Sequence, residues 1–300
     1  MRKALLIFNP RSGGNRFNQL DLVLERFKYQ KILTQAFCLS ESGNDERMIN
    51  TLTRHHFDLV VISGGDGTIN FIVNVLLKNN IQLPIGIIPA GTSNDLARNL
   101  KLPLDQKKAV DQIAFGSTVS IDVGLVNETT YFLSSCAGGL FTDISYKTEE
   151  DLKKSLGPLA YYLKGIQEFT RIQPFKLIVK TNGNVIEEDI LLFFILNGPN
   201  VAGLSDLIQN ATPTDGYLHL ILIKKCDPVD LTGIFFNILG HFSLKDNEKV
   251  KIISAPEFEL MSNHEIVLSV DGEKSGTLPA KLIVKPNKLT LFSPFEVVDY

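Results

Sequence analysis

The feature that most constrains this chain is a change of pattern near residue 118. Up to about residue 115, short apolar strands alternate with helix-length amphipathic segments. Strands are expected at Ala4–Asn9, Ile32–Leu39, Asp58–Ser63 and Pro84–Ile88, and helices near Phe17–Lys28, Asp45–His55 and Thr68–Lys78. Continuous apolar runs such as Leu59-Val60-Val61-Ile62 suit strands buried on both faces, as in a parallel sheet. The alternation itself argues for α/β architecture with right-handed crossovers. In such sheets, ligands sit where loops leave the carboxyl ends of the strands.

Beyond residue 118, strands dominate: Val119–Asn127, Tyr131–Ala137, Phe175–Thr181, Val185–Leu196, Tyr217–Lys224, Lys249–Ser254, Glu257–Met261, Ile266–Asp271 and Ala280–Val284. The Asn182-Gly183-Asn184 turn reads as a hairpin. Helical interruptions are expected near Thr148–Thr170 and Pro228–Phe242. The chain of 300 residues is long enough for two ordinary domains. The expectation is an α/β domain over 1–118, completed by 288–300, and a β-sandwich over 119–287.

Charge and cysteine usage remove several classes of function. The net charge is −3, where proteins that coat nucleic acid carry a basic excess. Cys38, Cys136 and Cys226 lie far apart with no CxxC spacing, which reads as reduced thiols in a cytoplasmic chain. The histidines (His55, His56, His219, His241, His264) form no HxxxH or HExxH pattern, so surface or packing roles are expected of them. The longest apolar run, Ile190 to Leu196, falls far short of the ~18–20 residues that span a bilayer. No transmembrane segment and no signal peptide are expected.

Three loops carry chemistry. Ser63-Gly64-Gly65-Asp66-Gly67-Thr68 follows a buried strand and opens a helix. Glycine admits close approach of phosphate oxygens to the backbone, and the helix start supplies N–H donors and a favourable dipole. Asp66 repels phosphate, so a role with Mg²⁺, a ribose or water is expected of it. The second loop is Pro89-Ala90-Gly91-Thr92-Ser93-Asn94-Asp95, where Ser93 or Asn94 is placed to cap the following helix. The third is Asn9-Pro10-Arg11-Ser12-Gly13-Gly14. Walker A is absent, and Asn70 stands where the dinucleotide fingerprint needs its third glycine.

Together these loops resemble the diacylglycerol kinase catalytic-domain family, especially its soluble bacterial lipid kinases. The resemblance runs along the whole chain. It includes Asp122-Val123-Gly124, Ala137-Gly138-Gly139-Leu140-Phe141-Thr142, Ser145-Tyr146-Lys147-Thr148, Gly157-Pro158-Leu159-Ala160-Tyr161-Tyr162, Asp215-Gly216-Tyr217 and Asp271-Gly272-Glu273. The ordered set is specific, whereas the central glycine loop alone is shared with NAD kinases and phosphofructokinases.

The resemblance implies an ATP-dependent lipid kinase that phosphorylates a hydroxyl of diacylglycerol or a related lipid, giving a product such as phosphatidic acid. ATP contacts fall on Asn9, Pro10, Arg11, Ser12 and Gly13, on Gly65, Asp66, Gly67, Thr68, Ile69 and Asn70, on Thr92, and near Ser40. Glu273 matches the family's catalytic base. Asp122 matches an aspartate that joins Asp66 in the Mg²⁺ and water network, and Lys164 a lysine that reaches the active site. Asp215, with the carbonyls of Thr212 and Tyr217, matches a structural metal site. The first domain is then the ATP-binding part and the second the lipid-binding part. The protein would work in the cytoplasm, visiting the inner face of the membrane transiently, and a homodimer is compatible with this.

Two departures stand out. The family follows the glycine loop with Asn-Glu, where this chain has Asn70-Phe71, and Asn15 stands where the first loop often has lysine or glycine. The apolar stripe Ile234, Phe235, Ile238, Leu239 and Phe242, widened by Phe236, reads either as core or as an interfacial helix. An NAD or sugar kinase of the same fold, or a nucleotide-binding protein with weak catalysis, remains as the alternative function.

Overall fold

The computed structural model describes residues 2–10, 16–40, 43–139, 174–201, 204, 207–240 and 243–294. The chain divides into two compact units, Met1–Ile121 with Asn287–Tyr300, and Asp122–Pro286.

In the first unit, β1 (Lys3–Phe8), β2 (Leu33–Cys38), β3 (Leu59–Gly64) and β4 (Ile85–Pro89) pair in parallel in the order β2-β1-β3-β4. The crossovers carry α1 (Arg16–Tyr29), α2 (Asn44–Arg54) and α3 (Asp66–Lys78), followed by α4 (Asp95–Asn99) and α5 (Gln106–Phe115). Ala4, Leu6, Leu59 and Val61 pack with Val23 and Phe27 of α1 and Val110 and Ile113 of α5. Leu5, Ile7, Val60 and Ile62, which alternate with them, are equally buried. Both sheet faces are therefore covered, as the continuous apolar runs require. Each fully buried side chain of this size contributes about 1.5–3 kcal/mol.

The helix α5 is not among the expected elements, although its signals are present. Asp105 accepts a hydrogen bond from the Lys108 N–H as N-cap, and Ala109, Val110, Ile113 and Ala114 are buried at helical spacing.

The second unit is antiparallel and strand-dominated. It contains β5 (Ser117–Val126, shared with the first unit), β6 (Thr130–Phe132), β7 (Ser135–Gly139), β8 (Phe175–Thr181), β9 (Asn184–Leu196) and β10 (Leu218–Lys224). After α6 (Pro228–Leu239) come β11 (Val250–Ala255), β12 (Glu257–Ser262), β13 (Val267–Val270), β14 (Glu273–Thr277) and β15 (Ala280–Ser293). The predicted hairpin is present: Asn182 and Gly183 take φ of 49° and 74° between β8 and β9. Leu218, Leu220 and Leu222 on one face of β10 enter a large core with Phe193 and Phe258. On its other face, Ile221 and Ile223 pack with Leu231, Ile234, Phe235 and Ile238 of α6. Those stripe residues are core, and Phe236 is the exception at 67% exposure. Phe242 lies outside the described residues.

The expected strand Tyr131–Ala137 is in fact two, broken at Leu133-Ser134. The expected short strand Ala280–Val284 is the start of β15, which spans 14 residues. Its first part pairs with β12 and its last part lies beside β4, with Leu291 opposite Ile85. The expected helix over Thr148–Thr170 lies outside the described residues.

Candidate active site

In the first unit, three loops leave the carboxyl edge of the parallel sheet and touch one another. Gly65 is the N-cap of α3 and offers no capping side chain, which leaves the first turn of a 13-residue helix suited to an anion. The neighbouring loop is pressed against it, because a Cβ on Gly65 would lie 3.0 Å from the Gly91 Cα. Thr68 folds back over Gly64, and its Oγ1 accepts a hydrogen bond from Asn9 Nδ2 at 3.1 Å. Gly67 differs from the other two, since among the described residues a Cβ there would meet no atom within 4 Å.

Asn94 sits at the N-cap position of α4, but it does not cap that helix. Its φ is 50° and its side chain turns back, with Oδ1 accepting from the Gly91 N–H and Nδ2 donating to the Gly91 carbonyl, both at 2.9 Å. The expected cap is thus a clamp on the loop beside Gly65, and Thr92 is left exposed at the loop tip. The Ile69 side chain is buried, so only its main chain is available to a nucleotide. Asn70 shares its side-chain and main-chain carbonyls with Asn74 Nδ2. Ser40 follows β2, and its hydroxyl lies 2.9 Å from Arg47 Nη1 and 3.1 Å from Asn44 Oδ1. Arg11, Ser12, Gly13 and Lys164 lie outside the described residues.

In the second unit, Asp122 is buried, and its Oδ2 accepts the Gly216 N–H at 2.7 Å. Its own N–H donates to the Pro213 carbonyl at 2.7 Å. Asp122 is therefore tied directly to the 212–217 turn that carries Asp215. That turn brings Thr212 and Tyr217 to Asp215: their N–H groups donate to the carboxylate, each at 2.9 Å.

His219 completes the turn, a buried packing position to which two specific polar partners are added. It is 5% exposed, its Nε2 lies 3.1 Å from Asp215 Oδ2, and its Nδ1 lies 2.8 Å from the Ser254 hydroxyl. Ser254 faces it across the β10–β11 ladder. Burial raises the Asp215 pKa, but the hydrogen bonds from His219, Thr212 and Tyr217, with the histidine charge, outweigh it and hold the carboxyl below its ordinary value.

Asp271-Gly272 forms the two-residue connection between β13 and β14. The φ values of 46° and 89° and the pairing of Val270 with Glu273 are those of a tight hairpin. Glu273 is presented from its end, exposed to solvent. The Asp271 carboxylate is turned inward. Its Oδ2 accepts the Leu133 N–H at 2.7 Å, and its Oδ1 accepts those of Ser134 and Ser135 at 2.9 and 2.8 Å.

The oxygen donors suit hard cations. Asp66 and Asp122 offer carboxylates of the kind Mg²⁺ takes alongside phosphate oxygens and water. Among the described residues, no three His, Cys, Asp or Glu side chains gather into a metal cage, and Mg²⁺ does not require one. At Asp215, main-chain N–H groups and His219 already bond the carboxylate, so it holds the turn whether or not a cation joins it. Sequence reasoning gave His219 no particular partner and missed the inward turn of Asp271, because Ser254 and the Leu133–Ser135 N–H groups lie far along the chain or in main-chain groups that no side-chain motif reports.

Comparison with known proteins covers nearly the whole chain. Residues 3–126 match the family described as the Diacylglycerol kinase catalytic domain, and residues 142–293 the YegS C-terminal NAD kinase beta sandwich-like domain. The chain is similar to the diacylglycerol kinase of Staphylococcus carnosus (strain TM300), at 32% identity over 297 residues covering 99% of this chain and 96% of the relative. It is 31% identical over 299 residues to the diacylglycerol kinase of Staphylococcus aureus (strain bovine RF122 / ET3-1), covering 99% and 94%. A Bacillus anthracis str. Sterne structure described as a candidate diacylglycerol kinase superposes with a TM-score of 0.86 at 25% identity, covering 99% of this chain and 97% of that one.

Proposed function

The chain belongs to the diacylglycerol kinase catalytic-domain family, whose members are ATP-dependent kinases with an alcohol acceptor, and from that premise we propose that it moves the γ-phosphoryl group of ATP onto a hydroxyl of diacylglycerol or a related lipid. The observation that carries the reading is the hairpin at Asp271-Gly272, which presents the Glu273 carboxylate in the open. A carboxylate so placed can orient an acceptor hydroxyl and take its proton. The acceptor oxygen then bonds to the γ-phosphorus as the bond to the β-phosphate bridging oxygen breaks, and ADP departs.

The first unit serves as the ATP-binding domain. Asn9, Pro10, Arg11, Ser12 and Gly13, the run Gly65 to Asn70, Thr92 and Ser40 hold the nucleotide, with phosphate received at the uncapped start of α3. Asp66 and Asp122 would hold Mg²⁺, which neutralises charge on the phosphates when bound. Lys164 adds a cation to the same chemistry. Thr212, Asp215 and Tyr217 would hold a second, structural cation. The second unit receives the lipid. Such an acceptor is met at a membrane surface, so the reading extends to a cytoplasmic enzyme that visits the membrane; among the described residues, no helix is long and apolar enough to cross one.

The test is Glu273→Gln, assayed with Mg·ATP and diacylglycerol. Transfer should fall by about 10²–10⁴-fold while ATP still binds, and full activity would overturn the assignment of the base. Mass spectrometry of a lipid library, with NAD and sugars included, identifies the acceptor. Phosphate appearing only on NAD or a sugar would reverse the choice of lipid.

A further inference from the structure

We infer that Asp271 and Asn197 form a positioning tie that holds the Glu273 hairpin and the Asp122 main chain to one shared segment, Leu133-Ser134-Ser135. The inference rests on the reading of Glu273 as the base. Neither residue needs to touch substrate; both act through the groups they hold.

The segment explains the break between β6 and β7. All six of its main-chain polar groups bond to one or other of the two residues. The N–H groups of Leu133, Ser134 and Ser135 donate to the Asp271 carboxylate, and the Ser135 carbonyl accepts from the Asp271 N–H at 2.8 Å. The Ser134 carbonyl accepts the Asn197 N–H at 2.9 Å, and the Leu133 carbonyl accepts Asn197 Nδ2 at 3.2 Å. The same Nδ2 donates to the Asp122 carbonyl at 2.9 Å. Asn197 is 0% exposed, so its amide does this work without competition from water.

The geometry of the hairpin shows why a clamp is required. With two residues in the left-handed region, the 271–272 connection is tight, but a two-stranded hairpin is weakly fixed unless something else holds it. Val267–Val270 pairs with β7 through Leu268, Ser269 and Val270, which stops one residue short of the turn. The three N–H bonds to Asp271 extend the restraint to the turn itself. A carboxylate with three such donors is a strong anchor, because charge-assisted bonds exceed neutral ones. Glu273 begins the next strand, so its direction follows the turn. Catalytic rates are sensitive to misplacement of about 1 Å.

The experiment compares Asp271→Asn, Asn197→Ser, Glu273→Gln and the double variant Asp271→Asn/Glu273→Gln. The amide introduced by Asp271→Asn would keep the Oδ1 bonds but oppose the Leu133 N–H with a second donor. Asn197→Ser cuts the link to Asp122 and Leu133 and leaves the hairpin sequence intact. Each of these two single variants should lower kcat by about 10–100-fold, with the ATP dissociation constant and the KM for ATP unchanged. The double variant should be no slower than Glu273→Gln alone, since Asp271 acts through Glu273; a merely structural role would slow it further. If Asp271→Asn fails to fold, Asn197→Ser carries the same expectation. Parental kcat in a folded Asp271→Asn or Asn197→Ser, beside an inactive Glu273→Gln, would overturn the tie alone. Full activity in Glu273→Gln would instead overturn the base on which it rests.

Discussion

Gly91 faces Gly65 with no room for a side chain between them: a Cβ on Gly91 would lie 2.7 Å from the Gly65 Cα and 3.0 Å from Asn94 Oδ1. The first contact is main chain and cannot swing aside. Gly91→Ala should therefore part the two loops, costing about 1–3 kcal/mol of stability and weakening ATP binding. Thermal unfolding with and without ATP measures both. An unchanged midpoint would show that the loops can separate without strain.

Gly67 sets the opposite expectation. Among the described residues no atom stands where its Cβ would go, and it lies in the first turn of α3. Gly67→Ala should keep or raise stability, by up to about 1 kcal/mol of helix propensity, while ATP affinity falls because the methyl group enters the phosphate space. Calorimetric titration with ATP, paired with a melting curve, separates the two effects.

Asp215 links the 212–217 turn to pH. Its native pKa is held below the ordinary value by His219 and two N–H groups, so the native state favours the ionised form. That stabilisation is complete above the unfolded carboxyl pKa of about 3.9 and is lost as pH falls through the lower native value. The gap in urea midpoint between the parent and Asp215→Asn should be largest near neutrality and should shrink below pH 4. A gap independent of pH would place the effect of Asp215 outside its charge.

Phe71 is 37% exposed on α3, next to the glycine loop, and lies outside the core. Phe71→Glu should change stability by no more than about 0.5 kcal/mol. It should lower the Mg²⁺ concentration needed for half-maximal rate by supplying the carboxylate that the resemblance leads one to expect after Asn70. A Mg²⁺ titration at fixed ATP decides this, and an unchanged midpoint would make the departure silent.

Signals spanning a few residues were legible in the sequence. The continuous apolar runs around Val60 and Ile7 gave the parallel sheet, and Asn182-Gly183 gave its hairpin, because turn chemistry and burial period are local properties. Asp271-Gly272 was legible as a bend presenting Glu273. The inward anchor of Asp271 was not, because its partners are main-chain N–H groups 136 to 138 positions away. The strand Glu273–Thr277 escaped notice because Glu-Lys-Ser-Gly-Thr is polar and lacks the usual β signature. Asn94 read as a helix cap from its position, yet tertiary packing against Gly91 claimed its side chain. His219 shows the same limit: only the β10–β11 register brings Ser254 to it, and spacing alone could not distinguish it from a packing histidine.

The shared strand β15 has a consequence for how the protein is made. Ser120 and Thr290, whose hydroxyls meet within the first unit at 3.5 Å, are 170 positions apart, and Ile85 waits still longer for Leu291. A ribosome releases the whole of the second unit, through Pro286, before the part of β15 that borders β4 emerges. Until then the β4 edge of the nascent sheet stands unpaired, with apolar Ile85, Ile87 and Ile88 nearby. Such an edge is a site for wrong pairing, and contacts of this separation form slowly. The first unit is translated first but completed only after the second, so the glycine loops at its sheet edge gain their final support from a strand made about 200 residues later.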